Sequence, residues 1–78
     1  MNRTDIEREL TELCGAILGH PVDRTLTRAG EDTWDSLKHM QIIFAVEEKF
    51  SVRFTEDEIP QMDSVARFAD YLEQRHAT

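Results

Sequence analysis

Several residue types are scarce in this chain, and each scarcity excludes something. Cys14 is the only cysteine in 78 residues, so no intramolecular disulfide and no cysteine-based zinc site can form. A lone thiol also suits a reducing, cytoplasmic setting. Three glycines and two prolines leave no linker, and no repeat or low-complexity tract is present. No apolar run approaches the length of a membrane span, and the opening MNRTDIEREL lacks the apolar stretch of a signal peptide. Basic residues are few: nine Lys and Arg against sixteen Asp and Glu give a net charge of -7. Nucleic acids and anionic membranes demand clustered cations, so neither is an expected partner. Such acidity maintains solubility or attracts basic patches on other proteins. One cytoplasmic, monomeric domain over residues 1–78 is expected, near the lower size limit for an unstapled core.

What is present is mostly helical periodicity. Thr4-Asp5-Ile6-Glu7 reads as a capping box, followed by Ile6, Leu10, Leu13 and Ile17 as one apolar stripe. Cys14 lies beside that stripe as small core filler. Gly19 and Pro21 end the first helix. A long connection from His20 to Asp35 follows, which Val22 and Leu26 should pin to the core. The central helix spans about Ser36 to Phe50. Its apolar residues Leu37, Met40, Ile42, Ile43, Phe44, Val46 and Phe50 cover more than half the helix circumference. One core-facing stripe needs less, so part of this arc should lie near the surface. Ser51-Val52-Arg53-Phe54 alternates like a strand but has no partner strand, and is read as an extended connector. Thr55-Glu56-Asp57-Glu58 is a second capping box, opening a short turn that Pro60 stops or redirects. Asp63 or Ser64 caps the last helix, whose buried stripe is Val65, Phe68, Ala69 and Leu72. The expected fold is all-α: three main helices plus one short one, with a long first loop.

Thr33-Trp34-Asp35-Ser36-Leu37 raises the functional question, because a serine begins the most apolar helix. Serine is a preferred helix cap and most such serines carry nothing more. Asp35 is an equally good cap, however, so one of the two is redundant for capping. Free amides and the helix dipole favour an anion at that position without requiring one. A hydrolase built from Asp35, Ser36 and His39 lacks a route for Asp35 to orient the imidazole, a nucleophile elbow and an oxyanion hole. A calcium site from Glu31, Asp32 and Asp35 fails on spacing. No catalytic and no metal-binding residue is assigned.

Asp35-Ser36-Leu37, with an apolar helix closing in Val46-Glu47-Glu48-Lys49-Phe50, resembles the acyl and peptidyl carrier proteins. The resemblance extends to the long first loop, the acidic short third helix and the final helix opened by Asp63-Ser64-Val65. It implies a carrier and not an enzyme. A phosphopantetheinyl transferase would attach 4′-phosphopantetheine from coenzyme A to Ser36, and the arm's thiol would hold an acyl or aminoacyl group as a thioester. By the same resemblance, Asp35 helps position magnesium and serine in the transferase, and Leu37 anchors the partner contact. An adenylating or aminoacylating ligase and a downstream acyltransferase are the further implied partners. An unmodified adaptor binding through the central helix is the alternative.

The chain also departs from that family. Housekeeping fatty-acid carriers are typically acidic directly after D-S-L and again three positions on, where this chain has Lys38 and Gln41. Acidity returns only at Glu47, Glu48, Glu56, Asp57 and Glu58. Rim charge sets partner choice more than affinity, which favours a specialised aminoacyl, short-acyl or polyketide pathway. A similar W-D-S-L with a His-Met pair occurs in stand-alone carriers outside the main fatty-acid pathway, including some that accept amino acids. The partner-contact candidates are Trp34, Lys38, Met40, Gln41, Phe44, Glu47, Glu48, Phe54, Glu56 and Ile59. Trp34 is expected chiefly to pack the loop, and His39 to be a satisfied, partly buried side chain. Met40 and Phe44 are bulky enough to favour a short cargo.

Overall fold

Three α-helices and one short 3₁₀ turn make up the regular structure of residues 1–76, which the computed structural model describes. They are α1 (Arg3–Leu18), α2 (Ser36–Phe50), the 3₁₀ turn (Ile59–Gln61) and α3 (Val65–His76). The all-helical bundle is the one expected. Among the described residues the only extended pairing is a single antiparallel bridge between Thr27 and Ser64.

The start of α1 corrects the expectation of a Thr4 box. Asn2 is the cap, its side chain accepting from the Asp5 amide at 2.8 Å. Glu7 bonds Arg3 Nε at 3.0 Å instead of reaching back to the backbone. Asparagine caps at least as well as threonine, and this register places Arg3 inside the helix. There its guanidinium also meets Asp70 and Glu73 of α3 at 2.6 and 2.8 Å. Three carboxylates hold that guanidinium firmly protonated. At the other end Gly19 takes φ 89°, a left-handed conformation that favours glycine, and its amide donates to the Gly15 carbonyl at 2.8 Å.

α1 packs on both α2 and α3. Ile6, Leu10 and Cys14 from α1, Ile42, Ile43 and Val46 from α2, and Val65, Phe68, Ala69 and Leu72 from α3 are fully buried. Cys14 is therefore in the stripe itself, with Leu13 and Ile17 flanking it half-buried. Burial pushes its thiol up to about 12, which leaves it protonated and unreactive at neutral pH.

The wide arc of α2 divides as expected. Its far side leaves Leu37 and Phe44 67% and 60% exposed. Ser51 closes the helix at φ 55°, and residues 51–54 run on as a connector. Glu47 secures it twice: its carbonyl accepts from the Val52 amide at 3.2 Å, and its carboxylate from the Phe54 amide at 2.9 Å. The Thr55 box forms reciprocally, with Glu58 N–H donating to Thr55 Oγ1 and Thr55 N–H to Glu58 Oε1. Pro60 lies inside the 3₁₀ turn that follows. Of the two caps considered for α3, Ser64 serves, accepting from the Arg67 amide at 3.0 Å.

The first loop is held more firmly than its length suggests. Leu26 is buried and Val22 half-buried, as expected. Beyond that, the Val65 amide donates to the Leu26 carbonyl at 3.1 Å and the Arg28 amide to the Asp63 carbonyl at 2.8 Å. The loop thus borders the start of α3 on one side and the start of α2 on the other.

Candidate functional site

Asp35 decides the status of the serine beside it. Its backbone is extended at φ -94°, ψ -174°, and Oδ1 accepts from the Lys38 amide at 2.9 Å. Asp35 is thus the N-cap of α2, and Ser36 is its first helical residue. The Ser36 hydroxyl is exposed and takes no part in capping. Its contact is with Arg28, whose Nη2 donates to Oγ at 3.3 Å. Arg28 was not among the sequence candidates; eight residues upstream in a loop, no periodicity could have placed it here.

Trp34 and His39 hold this frame from beneath. Trp34 is 3% exposed and His39 4%. Indole nitrogen can only donate, so the Trp34 Nε1–H contact at 3.0 Å makes His39 Nδ1 an acceptor. His39 Nε2 then carries the proton and donates to the Ile59 carbonyl at 2.8 Å. The two rings also stack at 5.9 Å. One neutral imidazole therefore joins the end of the loop, the first turn of α2 and the 3₁₀ turn. Both nitrogens are committed, so His39 does not act as a base on Ser36.

Two partner-contact candidates are corrected by their burial. Trp34 packs the loop onto the bundle, and Phe54 lies in the core, 5.7 Å from the Phe68 ring and 4.7 Å from Tyr71. Neither side chain presents a surface. Lys38, Met40 and Ile59 are half-buried, whereas Gln41, Phe44, Glu48 and Glu56 are exposed. Glu47 is half-buried and spends a carboxylate oxygen on the Phe54 amide. Leu37 stands exposed directly beside Ser36. The surface beside the serine therefore combines its hydroxyl, the Arg28 guanidinium, the capping Asp35 carboxylate and the apolar Leu37, with Phe44, Glu47 and Glu48 farther along α2.

A known protein is similar to this chain over nearly its whole length. The chain is 23% identical over 75 residues, 92% of its length and 95% of the other's, to an acyl carrier protein of Buchnera aphidicola subsp. Schizaphis graminum (strain Sg). This chain is similar to an acyl carrier protein. The similarity accords with the small helical bundle and with the resemblance read from Asp35-Ser36-Leu37. No protein-family model matches the chain. No helix among the described residues is long and apolar enough to cross a membrane.

Proposed function

We propose that this chain is a carrier protein, not an enzyme, and that Ser36 is its attachment residue for 4′-phosphopantetheine. The observation that carries this reading is the division of labour at α2: Asp35 caps, so the Ser36 hydroxyl is left exposed and available. The residues fit such a group. A primary hydroxyl can form a stable phosphodiester, the first turn of a helix favours an anion, and Arg28 stands beside Oγ. In a separate transferase, Ser36 Oγ attacks the phosphorus of coenzyme A nearest pantetheine. The hydroxyl proton passes to a base of that enzyme, and the adenosine bisphosphate departs. Once attached, the arm's thiol carries an acyl or aminoacyl group as a thioester.

Exposed Leu37 and Phe44 supply the apolar part of the docking surface, and Gln41, Glu48 and Glu56 its polar rim. Lys38 and Gln41 stand where housekeeping fatty-acid carriers are acidic, which favours a dedicated ligase in the cytoplasm and a specialised pathway. The test is intact mass after incubation with coenzyme A and a broad-specificity phosphopantetheinyl transferase. Wild type should gain one phosphopantetheine and Ser36→Ala none. No gain on wild type, with the transferase active on another carrier, rejects the reading and leaves an unmodified adaptor.

A further inference from the structure

Arg28 is the basic side chain that meets the Ser36 hydroxyl, and its backbone is well held. Its amide donates to the Asp63 carbonyl at 2.8 Å and its carbonyl accepts from Glu31 at 3.2 Å. The neighbouring Thr27 bridges to Ser64. Arg3, Arg8, Lys49 and Arg75 all pair with carboxylates. Among the described residues Arg28, like Arg24, Lys38, Arg53 and Arg67, makes no ion pair with a carboxylate, and of these five it is the one whose side chain contacts Ser36 Oγ. Its contact to Oγ, at 3.3 Å, is long for an N–H···O bond and reaches an uncharged acceptor. A phosphodiester on the same oxygen would add two non-bridging oxygens and a full negative charge. The guanidinium fork suits that geometry. Lys38 does not compete, because residues two apart on a helix do not share a face.

We propose that Arg28 is the positioning residue of the arm: its guanidinium pairs with the phosphodiester on Ser36 and restrains the arm's first bonds on the loop side of α2. This rests on Ser36 being the attachment site. The Asp35 cap that frees the Ser36 hydroxyl does not involve Arg28, so every variant should accept the arm, and the field of the helix terminus is the same in each. Substitution at 28 therefore isolates the guanidinium.

The experiment loads wild type, Arg28→Ala and Arg28→Lys from coenzyme A with a phosphopantetheinyl transferase and confirms each by intact mass. Phosphorus-31 spectra and thermal unfolding of the apo and loaded forms follow, at low and high salt. All three proteins should accept the arm. The phosphorus resonance of loaded wild type should differ from that of Arg28→Ala, and the Arg28 Nε–H resonance should move on loading. Loading should raise the wild-type Tm by about 2–4 °C more than that of Arg28→Ala at low salt. The excess should shrink at high salt, and lysine should restore only part of it. Loaded wild type and Arg28→Ala with the same phosphorus resonance and the same Tm increment would overturn this proposal alone. Failure of wild type to take the arm, with a reference carrier loaded in parallel, would overturn the reading of Ser36 and this proposal with it.

Discussion

Two helices of this protein open on the same dipeptide, Asp35-Ser36 at α2 and Asp63-Ser64 at α3, yet the serines end in different situations. Ser64 is the cap: its Oγ accepts from the Arg67 amide, its backbone bridges to Thr27, and 9% of it is exposed. At α2 the aspartate caps instead, and Ser36 moves one place into the helix with its hydroxyl facing solvent. The surroundings set that one-residue difference. The first loop pairs with Ser64 and takes the Val65 amide, holding Ser64 outside the helix. Trp34, tied down by His39, fixes the chain just before Asp35 and leaves Asp35 extended. A dipeptide at a helix start thus supplies two possible caps, and tertiary contacts choose between them.

The sharpest way to test this comparison is to remove each hydroxyl in turn. Ser36→Ala should lose phosphopantetheine loading completely while its stability changes by no more than about 0.5 kcal/mol. Ser64→Ala should load at the wild-type rate, as intact mass against time would show. Breaking the frame beneath Ser36 should have the largest effect on stability. His39→Ala leaves the Trp34 N–H and the Ile59 carbonyl unpaired, at about 1–3 kcal/mol. Denaturant unfolding would measure the loss, and a change in Trp34 fluorescence would locate it.

The two caps come next. Asp35→Ala and Ser64→Ala should each cost about 0.5–2 kcal/mol in the same unfolding assay. Only Asp35→Ala should also slow loading, since it alone loosens the turn that presents Ser36.

A weaker, pH-dependent effect belongs to the first loop, where His20 Nε2 meets Glu31 at 2.9 Å. Its hydrogen bond to Glu31, then that to the Pro21 carbonyl, raises the pKa of His20. Hydrogen bonds from Thr33 and then His20 lower that of Glu31. The His20 contribution is fully present below the unfolded value of 6.5 and is lost as pH rises through the raised folded value. The Glu31 contribution is present above its unfolded 4.5 and is lost as pH falls through the lowered one. The pair should therefore stabilise most between pH 4.5 and 6.5. Glu31→Gln should flatten the Tm-against-pH curve on the alkaline side of that window. Smallest in stability is Lys38→Glu, expected within about 0.5 kcal/mol of wild type. It should nevertheless alter the relative rates with different transferases and ligases; unchanged rates with all of them would remove Lys38 from the docking surface.

Much of this architecture was legible because helices write a 3.6-residue period into sequence. The stripe of α3, the divided arc of α2, the Gly19 stop and the Thr55 box were all readable from local spacing. The start of α1 is not legible locally, because Arg3, which makes that register worthwhile, draws on carboxylates 67 and 70 residues away. The burial of Phe54 is not legible either, because an alternating connector gives no sign of which face it turns inward. Local pattern suggests that Trp34 packs the loop and that His39 is a satisfied side chain, but it says nothing of their hydrogen bond to each other or its continuation to Ile59.

The sequence by itself determined the helical class, the approximate helix boundaries and the candidacy of Ser36, since these depend on periodicity, capping chemistry and a short motif. Only the tertiary structure decided that Asp35 caps while Ser36 does not, that Trp34 and Phe54 are interior, and that Arg28 reaches the serine. Those outcomes depend on which distant backbone groups and side chains fill the space around each residue, and that follows only once the bundle has closed.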